Sequence, residues 1–200
     1  MDKLKDLLLS LLNFIGESKF RLFAVIILTV IGFGGWIIYS EKDAFMASYR
    51  AQQALPKMNG KYEEAVNFVM KNSDAVMVAV FEVNTLSNSR KMVWLSTRKG
   101  GREKKYDDFN VGLFTKNQAN NADVIELMAG KVACSDYTKP QSFIGFIYRD
   151  YGTTFMCRIS VPAEPGVFIG QISVGWKDRP ESTEDIVTVM QVASSILYKK

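Results

Sequence analysis

The sequence predicts an α+β protein: one apolar helix near the N-terminus, then a domain built on an antiparallel sheet with helices. Three observations carry this. Residues 22–39 (LFAVIILTVIGFGGWIIY) hold no charge. Beyond them, runs rich in β-branched and aromatic residues recur at 75–83, 91–97, 142–148, 153–161 and 166–176, separated by turn signals. Helical spacing of apolar residues appears at 61–72 and again in Ile186, Val189, Met190, Ala193, Ile196 and Leu197.

The apolar segment is a transmembrane candidate. At 1.5 Å per residue it spans roughly 27 Å, close to a hydrocarbon core of about 30 Å. Trp36 and Tyr39 sit at its C-terminal end, where an aromatic belt belongs. It is too long for a signal-peptide core, and no small-x-small site follows it, so an uncleaved anchor is expected. Lys19 and Arg21 precede it, whereas Glu41, Lys42 and Asp43 follow. The positive-inside rule then places the N-terminus in the cytoplasm. The expected organisation is a cytoplasmic segment 1–21, a span 22–39 and a periplasmic α+β domain 40–200, in a single-pass protein of the inner membrane. Within the span, Thr29, Gly32, Gly34 and Gly35 are small, and with Trp36 they form a candidate assembly face. GxxxG spacing is absent, and glycine is also common in spans, so both readings stay open.

Ahead of the span, Leu4, Leu8, Leu11 and Ile15 share one helical stripe with Leu7 and Phe14, while Lys3, Asp6, Ser10, Asn13 and Glu17 lie opposite. The span separates this helix from the large domain. Membrane lipid, or a second copy of the chain, is therefore the expected partner of the stripe.

The domain elements follow in order. Residues 43–55 read as a helix ended by Pro56, and 61–72 as a second helix with Glu63 and Glu64 in its first turn. Strands at 75–83 and 91–97 flank a turn and suggest a hairpin. The stretch 98–108 (RKGGREKKYDD) suits anionic groups, but Asp107 and Asp108 close it and a solvated loop is the plainer reading. Its one aromatic residue, Tyr106, gives no interleaved pattern for base stacking, so no nucleic-acid partner is expected. A helix at 121–129 stops at Gly130. Three strands then lead to a last helix capped by Ser182. Five antiparallel strands with helices on one side fit this order, which is PAS- or GAF-like.

Composition excludes several chemistries. With 48% apolar and 23% charged residues the chain has material for a core. It contains no histidine, which removes Ser-His-Asp and Cys-His catalysis and imidazole metal sites. No P-loop, GxSxG or CxxC is present, so neither an enzyme nor a cofactor is expected. The two cysteines, Cys134 and Cys157, leave two readings open: a disulfide in an oxidising compartment, or two small buried thiols.

The layout resembles the holin family of T-even bacteriophages. The resemblance is carried by the Cys157 strand, the strand Phe168-Ile169-Gly170-Gln171-Ile172-Ser173-Val174-Gly175-Trp176, and the final helix Val192-Ala193-Ser194-Ser195-Ile196-Leu197 with its basic tail. Cys157 matches one family cysteine; the other falls near Met190, where this chain has none. The resemblance implies a self-assembling protein that opens lesions in the host inner membrane, releases endolysin, and is delayed by an antiholin at the periplasmic domain. The competing expectations are a membrane-anchored sensor or ligand-binding domain, or a structural subunit of a membrane-spanning complex. Against a signalling receptor, 21 residues before the span leave no room for an output domain.

The N-terminal stripe is testable directly. Leu8→Asp with Leu11→Asp is expected to weaken assembly of the membrane-inserted protein, read by chemical crosslinking; unchanged crosslinking excludes the stripe as a contact.

Overall fold

The computed structural model describes residues 5–6, 9–10, 14, 18–54, 56–140 and 142–198. Leu4, Leu8, Leu11 and Ile15 lie outside the described residues. The chain forms two compact units, Met1–Leu55 and Pro56–Lys200.

In the first unit, helix α1 runs from Lys19 to Ala54. Among the described residues it is the one helix long and apolar enough to cross a membrane, and none of its apolar window is buried by the protein itself. Residues 43–55, expected as a separate helix, continue α1 as far as Ala54. Nothing between Tyr39 and Ala54 breaks a helix, and Pro56 is the first residue to restrict the backbone before it. The second unit accordingly begins at Pro56, not at residue 40.

The second unit is one antiparallel sheet. Its strands are β1 (Met77–Asn84), β2 (Ser89–Thr97), β3 (Gly101–Arg102), β4 (Asn110–Gly112), β5 (Ala133–Asp136), β6 (Phe155–Val161) and β7 (Gly170–Trp176). Their spatial order is β3-β2-β1-β7-β6-β5, with β4 also on β2. The helices are α2 (Tyr62–Asn72), α3 (Gln118–Met128), α4 (Phe143–Asp150) and α5 (Thr183–Leu197).

Strand alternation divides the core in two. Val78 and Val80 of β1, with Ile172, Val174 and Trp176 of β7, pack with Val66 and Val69 of α2 and with Met190 and Leu197 of α5. Met77, Ala79 and Phe81 join Met156, and with them pack Ile144, Ile147 and Tyr148 of α4. Val124 and Leu127 of α3 build a smaller cluster with Leu113 and Phe168. A bulge in β2, opposite Val80 and Phe81, lets Met92 and Leu95 share one face while Trp94 turns to the other.

Three expectations are corrected. Helices cover both faces of the sheet, not one side, and the sheet has seven strands, not five. Residues 142–148, expected as a strand, enter α4. The Ser142 side chain caps that helix by accepting from the Gly145 N–H at 3.1 Å. Ile144, Ile147 and Tyr148 then fall on one buried face while Phe143 and Phe146 face out, which is helical spacing. Strands β3, β4 and β5 are too short for a period to show in the sequence. Elsewhere the expected elements stand: Ser182 caps α5 through the Asp185 N–H at 3.2 Å, and Gly130, at φ +72°, follows the end of α3.

The basic stretch 98–108 spends its charge locally. Arg98 donates to the carbonyls of Met70, Ser73 and Ala75, closing the end of α2. Arg102 is held by Asp107 at 2.6 Å and lies 4.0 Å over the Trp94 ring. Lys91 reaches Asp108 at 3.4 Å.

Cys134 and Cys157 face each other across β5 and β6 and form a disulfide. It closes a loop with a sequence separation of 23 that contains all of α4. Such a closure restricts the unfolded chain by about 3 kcal/mol. Replacing both cysteines by alanine is expected to lower the unfolding free energy of the domain by about that amount. Urea denaturation checks it; an unchanged midpoint means the bridge is not made in the native chain.

Candidate functional site

Among the residues that fill the second face of the sheet lies a cavity of about 470 Å³, between β2, β4, α3, α4 and the far strands. Its floor comes from polar side chains set into strands that are otherwise buried. In β7, Ile172 and Val174 point to one core, and the residues that alternate with them, Gln171 and Ser173, point to the cavity. Ser173 stands opposite Arg158 of β6, and Arg158 also lines the space.

Arg90 of β2 is the centre of this floor. It is 9% exposed. Its Nη1 donates to Gln171 Oε1 at 3.0 Å; its Nη2 donates to the Gly112 carbonyl at 3.1 Å and to Asn120 Oδ1 at 2.8 Å. Asn120 is oriented in turn by donating to the Leu113 carbonyl at 2.8 Å, and Gln171 by donating to Ser173 Oγ at 2.8 Å. One side chain thus ties β2, β4, α3 and β7 together. Its Nε–H nevertheless has no partner. Burial lowers the guanidinium to about 10, with the neighbouring Arg158 adding to the effect.

The walls are also charged and aromatic. Arg158 pairs with Asp123 of α3, both partly buried. Its guanidinium lies 5.7 Å from the centre of the Tyr137 ring. Tyr137 and Tyr148 meet at 6.2 Å. Tyr137 approaches α4 only because position 145 is glycine: a Cβ there would meet the Tyr137 hydroxyl at 2.6 Å and Pro140 Cβ at 2.8 Å. The Tyr148 hydroxyl is buried without a hydrogen-bond partner, and burial holds its phenol above the ordinary range. Three basic groups (Arg90, Lys139, Arg158) and two acidic ones (Asp123, Asp136) line the space, so one positive charge is left over. Such a lining suits recognition of a polar molecule. It holds no cysteine or histidine, and among the described residues no three metal-ligating side chains cluster.

None of the candidate site residues lines this cavity; Gln171 and Ser173, which do, enter the sequence reading only as part of the strand that carries the holin resemblance. Cys134 and Cys157 fasten the strands beside it. Thr29 bonds its own helix through the Val25 carbonyl at 2.8 Å. Trp36 is exposed and stacks on Phe33 at 5.9 Å. A Cβ at Gly32, Gly34 or Gly35 would meet nothing within 4 Å. As site residues, Arg90, Arg158, Gln171 and Ser173 were missed. Their signal was present: three polar side chains inside the apolar runs of two strands, in phase with one another.

No family model matches the chain, and no curated protein matches it by sequence. Solved structures do match. A far-red cyanobacteriochrome photoreceptor aligns with a TM-score of 0.52 at 11% identity, over 80% of this chain and 94% of that one. The chromophore-binding domain of the bacteriophytochrome RpBphP3 from R. palustris aligns with a TM-score of 0.50 at 13% identity, over 78% and 59%. The GAF domain of a two-component sensor histidine kinase from Bacillus halodurans aligns at 0.48 and 10%, over 68% and 89%. The fold is GAF-like. At such identities the likeness is one of architecture, and the element order read from the sequence agrees with it.

The buried phenols tie stability to alkaline pH. Tyr148 stays protonated in the folded domain where an unfolded tyrosine ionises near pH 10, and Tyr62 is pushed up to about 12 by burial and its bond to Glu82. Above pH 10 the unfolded state therefore gains the ionisation that the folded state forgoes, and stability falls. Denaturation between pH 8 and pH 12 is expected to show a shallower fall in Tyr148→Phe than in the native chain; identical slopes would mean that Tyr148 ionises freely.

Proposed function

We propose that the protein is a membrane-anchored ligand-binding domain. Helix α1 holds it in the bilayer, and the GAF-like domain beyond α1 takes a small polar molecule into the cavity floored by Arg90. The observation that carries this reading is the cavity itself: a volume within the range of small-molecule sites, lined by polar and charged groups that converge from β2, β6, β7 and α3. The disulfide supports a domain on the oxidising side of the membrane, the periplasm for a bacterial inner membrane.

Thermal unfolding of the full chain in detergent, against a library of small polar metabolites, tests this. At least one compound is expected to raise the midpoint, and Ser173→Leu, which fills the cavity, is expected to abolish the rise. A library without a hit overturns the reading.

The T-even holin resemblance supplies a second reading. It is favoured by the glycines of α1, which face no side chain and leave the span open to copies of itself. In that case the domain receives a regulator, and lesions follow assembly. Induction in cells holding a cytoplasmic endolysin separates the two. Steady growth with the protein in the membrane supports the ligand-binding reading; abrupt lysis requiring both proteins supports the holin.

A further inference from the structure

The outward face of α4 is apolar where a helix facing water is ordinarily polar. Phe143 and Phe146, three positions apart, are 61% and 52% exposed. They do not line the cavity; Ile144 and Tyr148 do, from the opposite side of the same helix. Phe109 follows a single 3-10 turn at Lys104–Tyr106 and sets its ring 5.2 Å from that of Phe143. Tyr106 and Tyr151 pack on the same cluster as α4, so the turn and the helix are neighbours.

The charged groups around these rings are mainly basic. Lys139 and Arg149 flank the two phenylalanines along the chain, and Lys104 and Lys105 stand on the turn; all four are exposed. Of the acidic groups on these segments, Asp107 is held by Arg102 and Asp108 by Lys91. That leaves Asp150, and Glu103 paired with Lys105. Exposed aromatic rings among lysines and arginines suit the surface of an anionic bilayer: the rings enter the headgroup boundary and the cations meet phosphates. A second copy laid on this face about a two-fold axis would set like charges against each other. The bilayer is also close. Helix α1 continues past its apolar window from residue 45 to Ala54, roughly 15 Å, whereas a domain of the second unit's size has a radius of about 19 Å.

We propose that the outward face of α4 is a lipid-contact surface, with Phe143 and Phe146 entering the boundary of an anionic leaflet while Lys104, Lys105 and Arg149 meet its phosphates. This rests on anchoring by α1 and not on the ligand of the cavity. One helix then has lipid on one face and the cavity on the other.

The test uses the full chain in nanodiscs of phosphatidylcholine, with and without phosphatidylglycerol. Phe143→Cys, Phe146→Cys and, on α3, Ile125→Cys each carry one nitrobenzoxadiazole label, because Cys134 and Cys157 are bonded to each other. Doxyl-labelled lipid is expected to quench the labels at 143 and 146 by roughly half in anionic discs and to spare the label at 125. Lys104→Gln with Arg149→Gln is expected to lower the ratio of docked to undocked protein roughly thirtyfold, and high salt is expected to act the same way. Should one labelled variant unfold, the other carries the test. Protein that enters the discs with no quenching at either label overturns the lipid surface and leaves the anchor standing. So does equal quenching with and without phosphatidylglycerol, or quenching at 125 as strong as at 143. Cross-linking between copies of Phe143→Cys in place of quenching gives the face to a second copy. Protein that does not stay with the discs overturns the anchor and the surface together.

Discussion

Strand β7 is buried along all of its seven residues, and both faces of the domain are organised around it. Each face must be covered, and each is covered differently. Ile172, Val174 and Trp176 seat α2 and α5 in a dry core. Gln171, Ser173 and Gly175 cannot do the same on the other side. Gly175 leaves room for Thr153, and the two polar residues turn to hydrogen bonding. The cavity exists because a central strand presents polar side chains to a layer that packs apolar helices elsewhere. A buried strand with a polar face must satisfy it with protein groups or with something brought in.

The periphery then follows from that asymmetry. On the dry side, helical spacing and ordinary capping suffice, and α5 needs little beyond Ser182 and its apolar stripe. On the polar side the covering elements are short and held by particular contacts. Helix α3 is capped by Asn117, which accepts from the Ala119 and Asn120 N–H groups, and it is tied down through Asn120. Helix α4 is eight residues long and lies inside the disulfide loop. The segment that walls the cavity is therefore the segment the bridge constrains.

Legibility in the sequence divides along the same line. β1, β6, β7, α2 and α5 could be read because each is long enough for its period to show. Residues 142–148 could not: SFIGFIY is apolar at five of seven positions, so alternation and helical spacing compete over less than two turns. Tertiary packing of Ile144, Ile147 and Tyr148 decided it. β5 has four residues and no pattern, and pairing with β6 makes it a strand. The site was hidden for a different reason. Arg90 is one of 25 basic residues, and only assembly of β2, β4, α3 and β7 makes it a buried one. Arg158, Gln171 and Ser173 were visible as polar residues in apolar runs, but their meaning depends on register, which no local pattern states.

Helix α1 has a mechanical consequence. Its 36 residues make a rod of roughly 54 Å, longer than a bilayer's hydrocarbon core by about 24 Å. No glycine or proline interrupts it between Gly35 and Ala54. A bending or swivelling point inside that stretch has no residue to supply it. Rotation, tilt or vertical displacement of the embedded half therefore reaches Ala54 without being absorbed. Residues 56–61 are not helical, and Gly60, at φ +80°, holds a conformation that resists any other side chain. Displacement carried along the rod meets the domain at residues 56–61, where Asn59 donates to the Ile196 and Leu197 carbonyls at the end of α5.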